Sequence, residues 1–312
     1  MLDELTPEAI EEAARRIAPH VLRTPTLWRP LTSRGELLLK AECLQPTGAF
    51  KLRGAFNLLL QLPSDIPGVV AHSSGNHAQA VARAARVLGF RAVIVMPSDA
   101  PAIKRARTEA DGAEVIEVGP DSRERAERAA ELARTRGLIP VPPFDDPRIA
   151  AGQGTAALEL LEDARGALDR FYAPIGGGGL MAGCSVIVRA RSPAAEIVGV
   201  EPESKPAARL SLASGERQTV DPPDTIADGL RVRAVGERTW PVLKANVSRV
   251  ELVSDEDLRR TMAFALRELR LVLEPSGAAA LTIALRERGG RSGVILTGGN
   301  VSAEMLAEVA AR

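Results

Sequence analysis

The chain predicts an α/β fold: open, mainly parallel sheet covered by helices and divided between two lobes. Three observations carry this. Short apolar runs alternate with amphipathic helical stretches along almost all of the 312 residues, the pattern of βαβ units whose strands are buried on both faces. A proline-rich stretch, Ile139-Pro-Val-Pro-Pro-Phe-Asp-Asp-Pro147, breaks the alternation and reads as a crossing between lobes. Three predicted strand ends carry glycine- or hydroxyl-rich turns, and ligands bind at the carboxyl ends of strands in such sheets.

Taken in order, Thr6-Pro7 supplies the cap and first position of a helix running to about Pro19. Strands are predicted at 36–41, 69–72, 92–96, 114–118, 170–175, 197–201 and 293–297. Helical patterns lie between them at 76–88, 102–110, 122–135 and 149–163. Residues 55–147 then form a small inserted domain, with 1–54 and 148–312 making the larger one.

Composition removes several classes of function. Forty basic residues balance forty acidic ones, which argues against nucleic acid or an anionic membrane as partner. No apolar run approaches the roughly 20 residues that span a bilayer, and the opening residues Met1-Leu-Asp-Glu-Leu-Thr6 lack the basic-then-apolar pattern of a secretion signal, so none is expected. Cys43 and Cys184 are too few for a disulfide framework, and His20, His72 and His77 lack zinc-type spacing. A cytoplasmic setting is expected.

Only five lysines stand against 35 arginines. Arginine supplies charge but cannot lose its proton to act as an amine nucleophile. Lys51, between Phe50 and Leu52 in Gln45-Pro-Thr-Gly-Ala-Phe-Lys-Leu-Arg-Gly-Ala55, sits where desolvation would lower its pKa. A surface lysine opening a helix would fit the spacing as well.

The strand-end turns sharpen the choice. Ile175 leads into Gly176, Gly177, Gly178 and Gly179, then Leu180 and a helix, a turn suited to phosphate held by free N–H groups. The same residues also fit a dinucleotide fingerprint, Gly177-x-Gly179-x-x-Ala182, with Glu201 about 20 residues on. Ser73, Ser74, Gly75, Asn76 and His77 open another helix, where neutral donors could hold a carboxylate; a plain N-cap explains Ser73 or Ser74 equally well. Thr297-Gly298-Gly299-Asn300 closes the last strand with a hydroxyl that could bond a heterocyclic nitrogen without protonating it.

Together these pieces resemble the pyridoxal-phosphate enzymes of fold type II, and within them the threonine dehydratase and serine racemase group. The matching tracts are Thr47–Ala55, Ser73–Ala78, Ala151–Thr155, Gly176–Gly179, Thr225–Gly229, Glu274–Gly277 and Thr297–Asn300, in the family's order throughout the chain. The resemblance implies two open, mainly parallel twisted sheets with the cofactor between the lobes. It makes Lys51 the Schiff-base lysine and catalytic base, with Phe50 against the ring. Gly176–Gly179, Leu180 and Gly298 would line the cofactor, Asn76 would meet its ring hydroxyl, Thr297 its ring nitrogen, and Glu274 would stand beside the ring. Ser73, Ser74, Gly75, Asn76 and His77 would grip the substrate carboxylate. The implied reaction is loss of water from a small hydroxy-amino acid, L-threonine or L-serine, giving 2-oxobutanoate or pyruvate plus ammonia. Pro142-Pro-Phe144-Asp-Asp has the dehydratase form, whereas Ser74 matches the residue that returns a proton in serine racemases. A nicotinamide-dependent dehydrogenase explains the glycines and Glu201 but leaves Lys51 without a role. Racemase-like relatives hold a divalent cation, Mg or Ca, near Glu201; Ala207 stands where a second carboxylate is needed. A homodimer or homotetramer is the family expectation; the regulatory C-terminal domain of the isoleucine-inhibited members, and feedback of that kind, are not expected here.

Overall fold

The computed structural model describes residues 4–32, 35–73, 75–100, 102–119, 122–287 and 289–312. Among the described residues, ten strands form two sheets: β1 (Thr26–Thr32), β2 (Gly35–Lys40), β3 (Val69–His72), β4 (Ala92–Pro97), β5 (Glu114–Val118), β6 (Ile139–Pro140), β7 (Arg170–Pro174), β8 (Glu196–Pro202), β9 (Arg249–Val253) and β10 (Gly290–Ile295). The larger sheet runs β1-β2-β10-β7-β8-β9 and the smaller β5-β4-β3-β6. Each of these strand pairings is parallel except β1 with β2. All strands of the smaller sheet come from the stretch between Val69 and Pro140.

The predicted strands at 69–72 and 114–118 and the helices Asn76–Leu88 and Ala102–Ala110 stand where the sequence places them. Central strands are legible because they are apolar throughout: β4 is buried along its whole length. Three strands escape that signal. β1 is an antiparallel edge strand containing Pro30, a residue confined to edges because it cannot donate to a ladder. β9 is the opposite edge and only partly buried. β6 is two residues long, inside the proline-rich stretch read as a crossing.

Helix starts follow the capping chemistry. Thr6 accepts from the Ala9 amide ahead of Pro7, and Asp146 accepts from the Arg148 amide ahead of Pro147. Ser254 and Asp257 form a reciprocal capping box.

One stack of three helices sets the interior spacing. Helix Lys51–Leu59 lies on helix Pro147–Asp163, which lies in turn on helix Gly179–Arg191. Glycines make the approach possible. A Cβ on Gly54 would stand 2.9 Å from the Ile149 carbonyl oxygen, and one on Gly152 would stand 2.7 Å from that of Arg53. On the other face, a Cβ on Gly154 would meet the Gly183 backbone at 2.8 Å, and one on Gly183 would collide with the Ala150 carbonyl. Because the obstacle is main chain, it cannot swing aside. Gly183→Ala should therefore destabilise by about 1–3 kcal/mol, as overpacked cores do, read as a lowered midpoint in urea denaturation at unchanged slope.

Candidate active site

Two segments remote in sequence are stitched together to present Lys51. The Phe50 amide donates to the Thr297 carbonyl at 3.0 Å, Gly299 donates to the Gly48 carbonyl at 2.9 Å, and Ala49 bridges Gly298 antiparallel. Asn300 Nδ2 reaches the Thr47 carbonyl at 2.7 Å. The Glu274 amide donates to the Gly298 carbonyl at 3.0 Å, which adds a third segment. Thr297 thus lies just past the end of β10, beside the lysine tract.

Lys51 is the first residue of its helix. Its Nζ donates to the Pro143 carbonyl at 2.6 Å and lies 5.2 Å from the centre of the Phe50 ring. The residue keeps partial exposure, but the amine is enclosed by protein, and burial lowers its pKa to about 8.

The four glycines leave β7 and turn into helix Gly179–Arg191, with Gly178 in the left-handed region at φ +92°. A Cβ on Gly177 would enter the Phe144 ring, and one on Gly178 would stand 2.8 Å from Leu243 Cδ1 and 2.9 Å from Thr239 Oγ1. The Gly177 carbonyl accepts from the Gly236 amide at 3.0 Å and from Thr239 Oγ1 at 2.8 Å. Asp145, next to Phe144, accepts from the amides of Glu237, Arg238 and Thr239 at 3.0–3.1 Å. The segment that supplies the acceptor for Lys51 is therefore tied to the loop that holds the glycine turn. Among the described residues, the amides from Gly176 to Met181 donate to no protein acceptor.

The start of helix Asn76–Leu88 is joined to the lysine tract through Asn300. Ser73 Oγ accepts from the Gly75 amide at 3.1 Å; Ser74 lies outside the described residues. Asn76 Nδ2 donates to Glu274 Oε1 at 2.6 Å and its Oδ1 accepts from Asn300 Nδ2 at 2.9 Å. Burial, reinforced by nearby Asp228, raises the Glu274 carboxyl to about 8. A Cβ on Gly298 would press on Glu274 Oε1 and displace that carboxyl. The His77 ring is committed to the main chain: its Nε2 bonds to the Val141 carbonyl at 2.8 Å, and burial, with the Lys51 ammonium nearby, lowers its pKa to about 3. A neutral imidazole donates there, so only the main-chain N–H of His77 belongs to the helix-start array.

Thr297 is buried, with Oγ1 at 3.4 Å from the Ser276 carbonyl. Glu201 accepts from the amides of Ala208 and Arg209, each at 2.9 Å, across the start of helix Ala207–Ser214. Burial raises its pKa to about 7. Among the described residues no group of three or more His, Cys, Asp and Glu side chains is placed to hold a metal ion.

Two residues at the cleft carry no role in the sequence reading. Lys104, on helix Ala102–Ala110, pairs with Asp228, and its Nζ stands 3.9 Å from where a Cβ on Gly75 would be. Its rarity is the available signal, as for Lys51. The Pro143 carbonyl, a main-chain group, offers none.

Residues 17–298 match the family described as "Pyridoxal-phosphate dependent enzyme". An L-threo-3-hydroxyaspartate ammonia-lyase from Pseudomonas sp is 42% identical over 96% of this chain and 96% of its own. A serine racemase from Schizosaccharomyces pombe is 39% identical over 97% of this chain and 96% of its own. The crystal structure of a T.th. threonine deaminase superposes with a TM-score of 0.90 at 42% identity, covering 95% of this chain and 99% of that one. The shared fold, the lysine between its two neighbouring segments and the match over nearly the whole length lead to one conclusion: this chain belongs to the pyridoxal-phosphate-dependent enzymes of fold type II, in the group that contains amino-acid ammonia-lyases and racemases.

Proposed function

We propose that the protein eliminates water from a β-hydroxy-α-amino acid, L-threonine first and L-serine second, releasing 2-oxobutanoate or pyruvate with ammonia. One observation carries this reading. A lysine amine with a lowered pKa bonds Pro143, whose neighbour Phe144 packs on the glycine turn of unpartnered amides, while Asn300 ties the lysine tract to the helix start at Asn76.

The residues fit the cofactor. Residues 177–181 are buried, and buried N–H groups without acceptors are costly. The phosphate ester would satisfy them at the positive end of helix Gly179–Arg191. The Thr297 hydroxyl suits a ring nitrogen left unprotonated, and Asn76 is the group for the ring hydroxyl. When bound, the cofactor supplies an electron sink for the pair left at Cα.

The chain's own residues do the rest. Lys51, with a pKa near 8, is neutral in a usable fraction near neutral pH and takes the Cα proton. Ser73 and the first-turn amides of helix Asn76–Leu88 orient the substrate carboxylate. Glu274, protonated at neutral pH, adds a donor beside Asn76 without adding charge. Phe144 covers Gly177 and screens the turn from water. The likeness to a threonine deaminase over nearly its full length supports threonine as substrate, as does the apolar Phe144.

A second reading has its own support. The Lys104 ammonium near Gly75 suits a substrate with a second carboxylate, and one of the similar proteins acts on L-threo-3-hydroxyaspartate. Serine racemisation would rest on Ser74.

Lys51→Ala should fold, yet lose turnover by about 10,000-fold or more, since base and covalent anchor vanish together; borohydride should bleach the wild-type visible band and mark Lys51. Near-normal turnover in that variant would refute the role. Given L-threonine, L-serine, D-serine and L-threo-3-hydroxyaspartate, the enzyme should show its highest kcat/KM for threonine by 2-oxo acid release. A tenfold preference for hydroxyaspartate transfers the assignment to the second reading, and Lys104→Met should then raise its KM by roughly tenfold or more.

A further inference from the structure

Behind Lys51, on the side away from the cleft, lies a buried ionic cluster that the proposed chemistry does not use. Arg53 is 0% exposed. Glu42 grips its Nε and Nη2 at 2.7 and 2.8 Å, and Glu159 grips Nη1 and Nη2 at 2.7 and 2.8 Å. Nη1 also donates to Thr155 Oγ1 at 3.1 Å. Lys40, fully buried, pairs with Glu159 Oε2 at 2.7 Å and donates to the Thr24 carbonyl. Two cations thus meet two carboxylates. Burial alone would raise the Glu42 pKa, but the guanidinium outweighs it and holds the carboxylate below its ordinary range.

The cluster's partners lie on separate elements. Glu42 belongs to the turn Glu42–Leu44 that follows β2, whereas Thr155 and Glu159 lie on helix Pro147–Asp163. That helix is preceded by Pro143, the acceptor for Lys51. Both ends of the Lys51–Pro143 hydrogen bond are therefore referenced to one guanidinium. Residues two apart on a helix point about 200° from each other, so a side chain locked on the inner face fixes the direction of the one on the cleft face. Such a network adds little net stability over packed apolar groups of the same volume. What a planar fork held by two carboxylates adds is a fixed roll of the helix about its own axis.

We propose that Arg53 is a positioning residue, locking helix Lys51–Leu59 against Glu42 and Glu159 so that the Lys51 amine is held at the cleft against Pro143. The proposal rests on the reading of Lys51 as the reactive lysine. Arg53→Lys keeps the charge and loses the fork. A second variant, Lys40→Met/Glu42→Gln/Arg53→Met/Glu159→Gln, removes every charge of the cluster together and leaves none buried without a partner.

In the full-length chain freed of cofactor, acylation of Lys51 should rise with pH, because the neutral amine is the nucleophile, with a wild-type midpoint near 8. In either variant the midpoint should move up by about one unit toward the ordinary lysine range. In the loaded enzyme kcat should fall by about 100-fold, the cost of a misplaced catalytic group, while KM stays within about threefold and far-ultraviolet circular dichroism is unchanged. A folded variant with wild-type midpoint and wild-type kcat overturns the proposal. Borohydride labelling of the wild type separates the two failures: a mark on another lysine sinks the reading of the site, whereas a mark on Lys51 with unaffected variants sinks only the positioning role.

Discussion

Helix Pro147–Asp163 works as a spacer of fixed thickness. Gly54 and Gly152 bring the lysine helix against one of its faces, and Gly154 and Gly183 bring the helix of the glycine turn against the other. The distance from Lys51 to the unpartnered amides is therefore set by backbone in contact with backbone, the least compressible packing a protein has. Side chains at these contacts would enlarge the gap and separate the covalent anchor from the anion cradle. The tract Ala151-Gly-Gln-Gly-Thr155 contributes by what it lacks.

Charge is handled in two ways around that spacer. On the inner side, Lys40, Glu42 and Arg53 are fully buried and Glu159 nearly so, and the charges are matched pair for pair. Around Lys51, burial brings two titrating groups, Lys51 and Glu274, to about 8, among amides, hydroxyls and main-chain donors. Such groups can take or give a proton at modest cost near neutral pH. His77 follows the same pattern. Held neutral by burial and committed to Val141, it adds no positive charge beside Lys51.

The frame of this arrangement is legible in the sequence because each part has a local cause. Continuous apolar runs identify the central parallel strands, capping residues mark helix starts, and the glycine turn follows its strand directly. Edge strands are harder: β1 mixes Trp28, Arg29 and Pro30, and β9 is only partly buried, so neither shows a buried run. Side-chain direction is the other gap. Nothing in the order Asn76-His77 says that the asparagine turns to Glu274 and the histidine to Val141, and nothing near Arg53 reveals partners 11 and 106 residues away. Those choices follow from tertiary packing. The substrate tracts can be placed together, but the Lys104–Asp228 pair and the Pro143 carbonyl emerge only when the segments meet.

The bonds that fasten helix Ala102–Ala110 to the rest of the chain differ in kind from those behind Lys51. Lys104 on the helix Ala102–Ala110 reaches Asp228, and Arg107 on the same helix reaches Asn300. Asp228 is half open to solvent, and a pair so placed is worth at most about 1 kcal/mol. The interior stack, by contrast, is glycine-tight, backbone against backbone. Added salt therefore weakens the Lys104–Asp228 fastening before it reaches the buried frame, whose spacing is set by backbone packed on backbone.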